Sequence, residues 1–180
     1  MNDILLVVLV ILVVVISAIL LMYNKLVRLR NNVKQAKSGI DVCLKQRFDL
    51  IPNLVETVKG YAKHEEELYE NIATLRGSYT GSQDLKTGET LNKQVNRLIA
   101  LAENYPELKA NEQFLALQRS LEKIENQLQA ARRIYNMSVT AYNNKIETVP
   151  SNLVASLFGF EQALLFNMED SERKNIVVDF

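Results

Sequence analysis

From Ile4 to Met22 the chain reads ILLVVLVILVVVISAILLM, with no charged side chain, and the uncharged stretch extends to Asn24. As a helix this run spans ~28 Å, close to the ~30 Å hydrocarbon core of a bilayer. A helix that is apolar on every side has no wet face, so a soluble domain can hardly hide it at its own edge. The competing reading, a cleaved signal peptide, fits poorly. Met1, Asn2 and Asp3 supply no Lys or Arg ahead of the run, which is longer than a usual signal core. Nor does a small-residue cleavage site or a lipid-accepting cysteine follow it. A retained transmembrane anchor over 1–24 is expected, which makes the lipid bilayer the first partner.

The flanks carry the orientation. Lys25, Arg28, Arg30, Lys34, Lys37, Lys45 and Arg47 follow the span, opposed up to Phe48 only by Asp41, whereas Asp3 alone stands on the other side. The positive-inside rule then expects the N-terminus outside and the body in the cytoplasm of a single-pass cell-membrane protein. The same cluster, Lys25, Arg28, Arg30 and Lys34 foremost, is a candidate membrane-surface contact with anionic headgroups. A solvated face with a few snorkelling side chains is the plainer alternative, and the opposite topology is the competing orientation.

Lys plus Arg number 21, as do Asp plus Glu. Net charge therefore makes no case for nucleic acid as a partner. A composition without tryptophan and poor in glycine and proline favours long helices over sheets. One cysteine, Cys43, excludes an internal disulfide framework and any multi-cysteine zinc cluster, and it reads as a small packing residue.

Apolar spacing organises the rest. Leu26, Leu29, Val33, Ala36, Ile40 and Cys43 step by three and four, a coiled-coil-like seam that continues the anchor without a breaker. Pro52 interrupts it, and the stripe resumes at Leu54, Val55 and Val58 and runs to Leu75, with Gly60 placed to allow a close helix approach. Asp49 or a neighbouring backbone group is expected to compensate for the amide that Pro52 lacks, making this stretch a bend. The segment Gly77–Thr90, GSYTGSQDLKTGET, reads as a long loop. A third helix is expected from about Thr90 to Tyr105, where Pro106 disfavours helical backbone. Asn111 is a candidate cap for a fourth and longest helix, whose seam runs from Phe114 to Ile146. Pro150 ends that rod, and Ser151 is placed to cap a short helix. The fold class expected is all-α: an N-terminal transmembrane helix (1–24) continuing into an antiparallel four-helix bundle (25–150). A short apolar helix and tail (151–180) then pack on the bundle or on a neighbouring subunit, with the membrane surface as the alternative.

The candidates for chemistry are few. His64, followed by Glu65, Glu66 and Glu67, suggests a metal or acid/base site at first sight. A ferritin-type bundle site needs a Glu-x-x-His unit on each of two helices, and this chain holds one histidine. Three consecutive glutamates spread over ~200° of helix surface and cannot all face one interior ion, so they read as a solvated face. No Cys/His or Ser/His arrangement, phosphate-cradling glycine loop or P-loop lysine is present. Neither cofactor nor metal is therefore expected. The Asn136-Met137-Ser138 glycosylation match lies inside the long rod and is discounted. Tyr135-Asn136 and Tyr142-Asn143, seven residues apart on one face, read as structural: tyrosine hydroxyls seek partners, and asparagines beside a seam set register.

The chain resembles the LemA family of bacterial membrane-anchored helical proteins over essentially its whole length. The most specific block is Tyr23–Leu68, followed by YPELKAN (Tyr105–Asn111), ARRIYNMSVTAYNNKIETVP (Ala131–Pro150), FGF and the terminal VVDF. Val149 departs from the phenylalanine common before the proline, which bears on packing at the end of the rod. The resemblance implies an N-terminal anchor, an antiparallel helical bundle and an envelope-associated scaffold or adaptor, with no catalytic mechanism.

Together these features lead to a non-enzymatic membrane scaffold that forms homo-oligomers through its long seams. An adaptor of a membrane enzyme such as a protease, acting through the Lys25–Arg47 face on an envelope protein partner, is the alternative. A metal-dependent hydrolase is the third and least supported. The residues singled out for structure or interaction are Pro52, Gly60, Tyr135, Asn136, Tyr142, Asn143 and Pro150.

Overall fold

The computed structural model describes residues 2–62, 65–82, 84–102 and 104–166. Among them the chain is all-α, without a strand. The helices are α1 (Asn2–Asp49), α2 (Ile51–Lys59), α3 (Glu66–Ser82), α4 (Leu85–Ala102), α5 (Pro106–Lys109), α6 (Glu112–Glu147) and α7 (Ser151–Leu157). They form two compact units, one drawn from the chain up to Lys37 and from Arg132 onward, the other comprising Ser38–Ala131.

In the first unit, α1 is long and apolar enough to cross a membrane, and none of its most apolar window is buried by protein. Beyond Met22 a one-sided stripe takes over. Leu26 and Val33 of α1 join Val139 and Tyr142 of α6, Val154 and Ala155 of α7, and Phe160 in a buried cluster. Ile19, Met22 and Tyr23 pack against it. The Val149–Pro150 peptide is cis, and the Ser151 hydroxyl, wholly buried, points back into the end of α6. Its one proton lies between the carbonyl oxygens of Lys145 (2.7 Å) and Thr148 (2.9 Å). Ser151 thus satisfies the C-terminus of α6 and not, as expected, the N-terminus of α7, because the last-turn carbonyls of a helix otherwise lack donors. The FGF motif closes α7. Gly159 adopts φ +66°, which only glycine takes freely, and the Phe160 amide reaches the Ala155 carbonyl at 2.9 Å, a Schellman closure.

In the second unit the end of α1 passes into α2 with a one-residue interruption. Leu50 keeps right-handed helical angles, φ −84° and ψ −16°. Pro52 has no N–H to give the carbonyl four residues back, that of Phe48. Arg76 of α3 supplies the missing donor, its Nε lying 3.3 Å from the Phe48 oxygen. The compensation expected from Asp49 or nearby backbone therefore comes from another helix.

The stripe expected to continue through Leu75 is broken: α2 ends at Lys59 and α3 begins at Glu66. The Tyr69 hydroxyl pins the connection by donating to the Ala62 carbonyl at 2.7 Å. Within the segment expected as a long loop, Gly77–Thr90, α3 runs to Ser82 and α4 starts at Leu85. Two facts account for the difference. Asp84 caps α4, its carboxylate accepting the Thr87 amide at 3.0 Å and holding a depressed pKa through the bonds from Thr87. Gly88 is a packing residue: a Cβ there would meet the Tyr79 ring at 2.9 Å and Leu44 at 3.2 Å. Tyr79 in turn stands edge-on to Phe48, with centroids 4.8 Å apart. At Gly60 a Cβ would meet only the Thr57 carbonyl at 3.6 Å, an ordinary contact, so the close approach lies at Gly88 instead. Downstream, Tyr105 is extended before Pro106, and Asn111 caps α6 by accepting the Phe114 amide at 3.0 Å.

Candidate functional site

Two polar constellations stand out, one in each unit. The first runs along α6. Asn143 donates from Nδ2 to the Ala163 carbonyl at 2.8 Å and accepts the Ala163 amide at 2.9 Å. Asn136 repeats the pattern with Phe166, at 2.9 Å and 2.8 Å. Each carboxamide thus pairs with both backbone groups of one residue, as a neighbouring strand would. The spacing fits: seven residues of helix rise ~10.5 Å, and three residues of extended chain cover ~10 Å. Tyr135 adds a third rung, its hydroxyl donating to the Leu164 carbonyl at 2.9 Å, and the Arg132 guanidinium lies over the Phe166 ring at 4.8 Å. The chain after α7 therefore lies as a strap along α6.

Tyr142 stays in the apolar cluster. Burial pushes its phenol pKa up, Arg30 pulls against this, and Glu161 adds to it. Tyr135 is raised by burial alone.

The second constellation is the buried side chain of Arg47, only 2% exposed. Nη1 pairs with the Glu125 carboxylate of α6, and Nη2 donates to Oδ1 of Asn96 on α4. The sequence groups Arg47 with the basic residues that follow the span, and the structure removes it from that face. The signal was there to be read: Arg47 continues the buried series Ile40, Leu44, and Glu125 lies between buried Leu121 and Leu128 at seam spacing. The same unit holds a groove of ≈ 380 Å³ walled by Asp41, Lys45, Asp49, Arg76 and Tyr79. Two acids face two bases, so the groove offers a ligand no net charge. Burial, and then Asp41, raise the Tyr79 phenol, and burial raises the Cys43 thiol, which makes it a poor nucleophile at neutral pH.

Among the described residues no group of three or more His, Cys, Asp or Glu side chains is placed to hold a metal ion. His64 lies outside the described residues. Glu66 and Glu67 are exposed in the first turn of α3, where carboxylates complement the helix dipole. Lys25, Arg28, Arg30 and Lys34 are all exposed on α1. The guanidinium of Arg30 sits 5.1 Å over the Phe160 ring. Pro52 stands in the first turn of α2, Gly60 caps its end and Pro150 precedes α7. Sequence reasoning missed Arg76, Asn96, Glu125, Asp84 and Gly88.

The LemA family model matches residues 36–180. The chain is 27% identical to Protein LemA of Metamycoplasma hominis over 158 residues, covering 85% of this chain and 72% of that one. It is 26% identical to magnetosome protein MamQ 2 of Paramagnetospirillum magneticum over 180 residues, covering 83% of this chain and 66% of the relative. With magnetosome protein MamQ of Magnetospirillum gryphiswaldense the identity is 23%, over 84% and 66% of the two chains.

Proposed function

The chain belongs to the LemA family, and from that premise we propose that it is a non-enzymatic, membrane-anchored scaffold of the bacterial envelope that assembles through its long helical seams. In this reading the long helices pack as an antiparallel four-helix bundle, and copies associate along the exposed remainder of the seams. The observation that carries it is α1. One helix holds the uncharged span from Ile4 to Met22 and continues unbroken to Asp49, among the buried residues of the second unit. A helix able to cross a bilayer, followed in the chain by a folded body, suits holding and positioning. None of the relatives above bears the name of an enzyme, which agrees with this reading.

Mass photometry in mild detergent over a range of protein concentrations tests the assembly. Discrete higher species that grow with concentration are expected, and a monomer throughout removes self-assembly from the proposal. By the positive-inside rule the body faces the cytoplasm. A single cysteine at Lys123 in a Cys43→Ser background should be shielded from a membrane-impermeant thiol reagent in intact cells and react after permeabilisation. Labelling of intact cells reverses the orientation.

A second reading, an adaptor for another envelope protein, draws on the exposure of Lys25, Arg28, Lys34 and Lys37 along α1. Photocrosslinkers at these positions in native membranes should then capture one dominant partner in place of further copies of the chain.

A further inference from the structure

We propose that α7 and the FGF turn form a second membrane contact, lying in the headgroup boundary beside the point where α1 leaves the bilayer; this rests on the reading that Ile4–Met22 spans the bilayer. The placement follows from side chains. Tyr23 directly follows the apolar span, the level at which aromatic rings mark a bilayer's edge. Phe158 packs against Tyr23 at a tilt, with centroids 4.9 Å apart, and Phe160 meets the same ring edge-on at 5.7 Å. Ile19 and Met22, within the span itself, pack against the cluster that contains Val154, Ala155 and Phe160. α7 is thereby held level with the end of the span.

The chemistry of α7 then selects its occupant. Ser151, Val154 and Ala155 form the face buried against the protein. The opposite face carries Leu153 and Leu157, one turn apart, and these remain 70% and 76% exposed; the Phe158 ring is 51% exposed. From Thr148 to Phe160 there is no charged residue. A short helix whose outer side is leucine and phenylalanine is a poor surface for water. Leu20 and Leu21, at the end of the apolar span of α1, are also exposed. Lys25 and Arg28, exposed just beyond Tyr23, supply the positive charge that sits among headgroups. An apolar face beside a basic rim is the composition of elements that lie in the interface plane. The bilayer is the occupant that both the level and the chemistry favour. Two contacts also set the protein's rotation about α1, which a single spanning helix leaves free.

The test uses the full chain in vesicles of phosphatidylethanolamine and phosphatidylglycerol. Nitroxide labels are placed singly at Leu153→Cys, Leu157→Cys, Ile11→Cys and Lys123→Cys in the Cys43→Ser background. All four positions are exposed, so the labels need not disturb folding. Collision with dissolved oxygen, which partitions into lipid, is compared with collision with an aqueous nickel chelate. The proposal expects labels at 153 and 157 to be screened from nickel and open to oxygen, at a depth of ~5–10 Å. The Ile11 label should lie deeper and the Lys123 label in water. If 153 and 157 behave like Lys123 while Ile11 is in lipid, the second contact is overturned and the anchor stands. If they are screened from both reagents and show spin–spin broadening that vanishes on dilution with unlabelled protein, a second copy covers α7 and the lipid proposal fails. If Ile11 itself meets nickel, the spanning reading fails and takes this proposal with it.

Discussion

Arg47 shows how much one polar residue governs in a helical core. Its guanidinium is enclosed, and its partners come from two other helices. Truncation leaves Glu125 facing an empty space, although that carboxylate is 27% exposed and so remains partly hydrated. Arg47→Ala is therefore expected at the low end of the range for broken buried pairs, a loss of about 3 kcal/mol. Chemical denaturation measures it. Replacing Arg47 and Glu125 together by Met and Leu should recover part of the loss, since neither charge is then stranded. The two asparagines of α6 act more locally. Asn143→Ala leaves both backbone groups of Ala163 without their protein partners, at a cost of about 1–2 kcal/mol. Hydrogen exchange of the Ala163 amide should accelerate strongly, while the α6 amides keep their protection. Asn136→Ala should do the same at Phe166.

At the scale of elements, the passage from α1 to α2 makes a sharp case. Pro52 withholds a donor and Arg76 provides one, so the two residues should be coupled. In the wild type, Arg76→Ala leaves the Phe48 carbonyl without that donor, for about 1 kcal/mol. In a Pro52→Ala background the new amide at 52 can bond the same oxygen, and Arg76→Ala should then cost close to nothing. A double-mutant cycle by denaturant titration reads the coupling directly. The glycines of α3 and α4 make a second case. Gly77 and Gly81 lie in α3 with open space where a Cβ would stand, whereas Gly88 in α4 faces the Tyr79 ring. Alanine at 77 or 81 should gain up to about 1 kcal/mol of helix propensity. At Gly88 the same gain is opposed by about 1–3 kcal/mol of overpacking, so the melting temperature should fall. Glycine spacing in the sequence suggests a loop across this whole region. Only the position of the Tyr79 ring distinguishes a glycine that packs from glycines that are tolerated.

For the whole molecule, both units hold phenols that the fold removes from water wholly or in part. Tyr69 and Tyr79 in one, and Tyr135 and Tyr142 in the other, are all raised from their ordinary value of 10.0, with burial the largest cause. The folded state favours the neutral phenol, so below pH ~10 this preference costs nothing and its contribution is fully present. As pH rises further, the unfolded chain ionises first and stability falls. Thermal melting should be insensitive to these groups up to about pH 10 and decline above it, with late phenolate absorbance from these tyrosines. Substituting Tyr135→Phe should remove one late-titrating group and loosen the strap at Leu164. What the sequence by itself determined are features set by near neighbours. The length of an uncharged run makes an apolar helix that can cross a membrane. Three-and-four spacing makes helices, Pro106 forces Tyr105 out of helical backbone, and Asn111 caps the helix that follows. These depend on covalent geometry and hydropathy within a few residues. Other features wait on tertiary structure because their partners are distant in the chain. Arg47 meets Glu125 across 78 residues, and Arg76 reaches Phe48 across 28. The asparagines of α6 hold a strap 20 and 30 residues away. Whether a polar side chain at seam spacing is buried or wet depends on which group stands opposite, and periodicity along one helix carries no record of that.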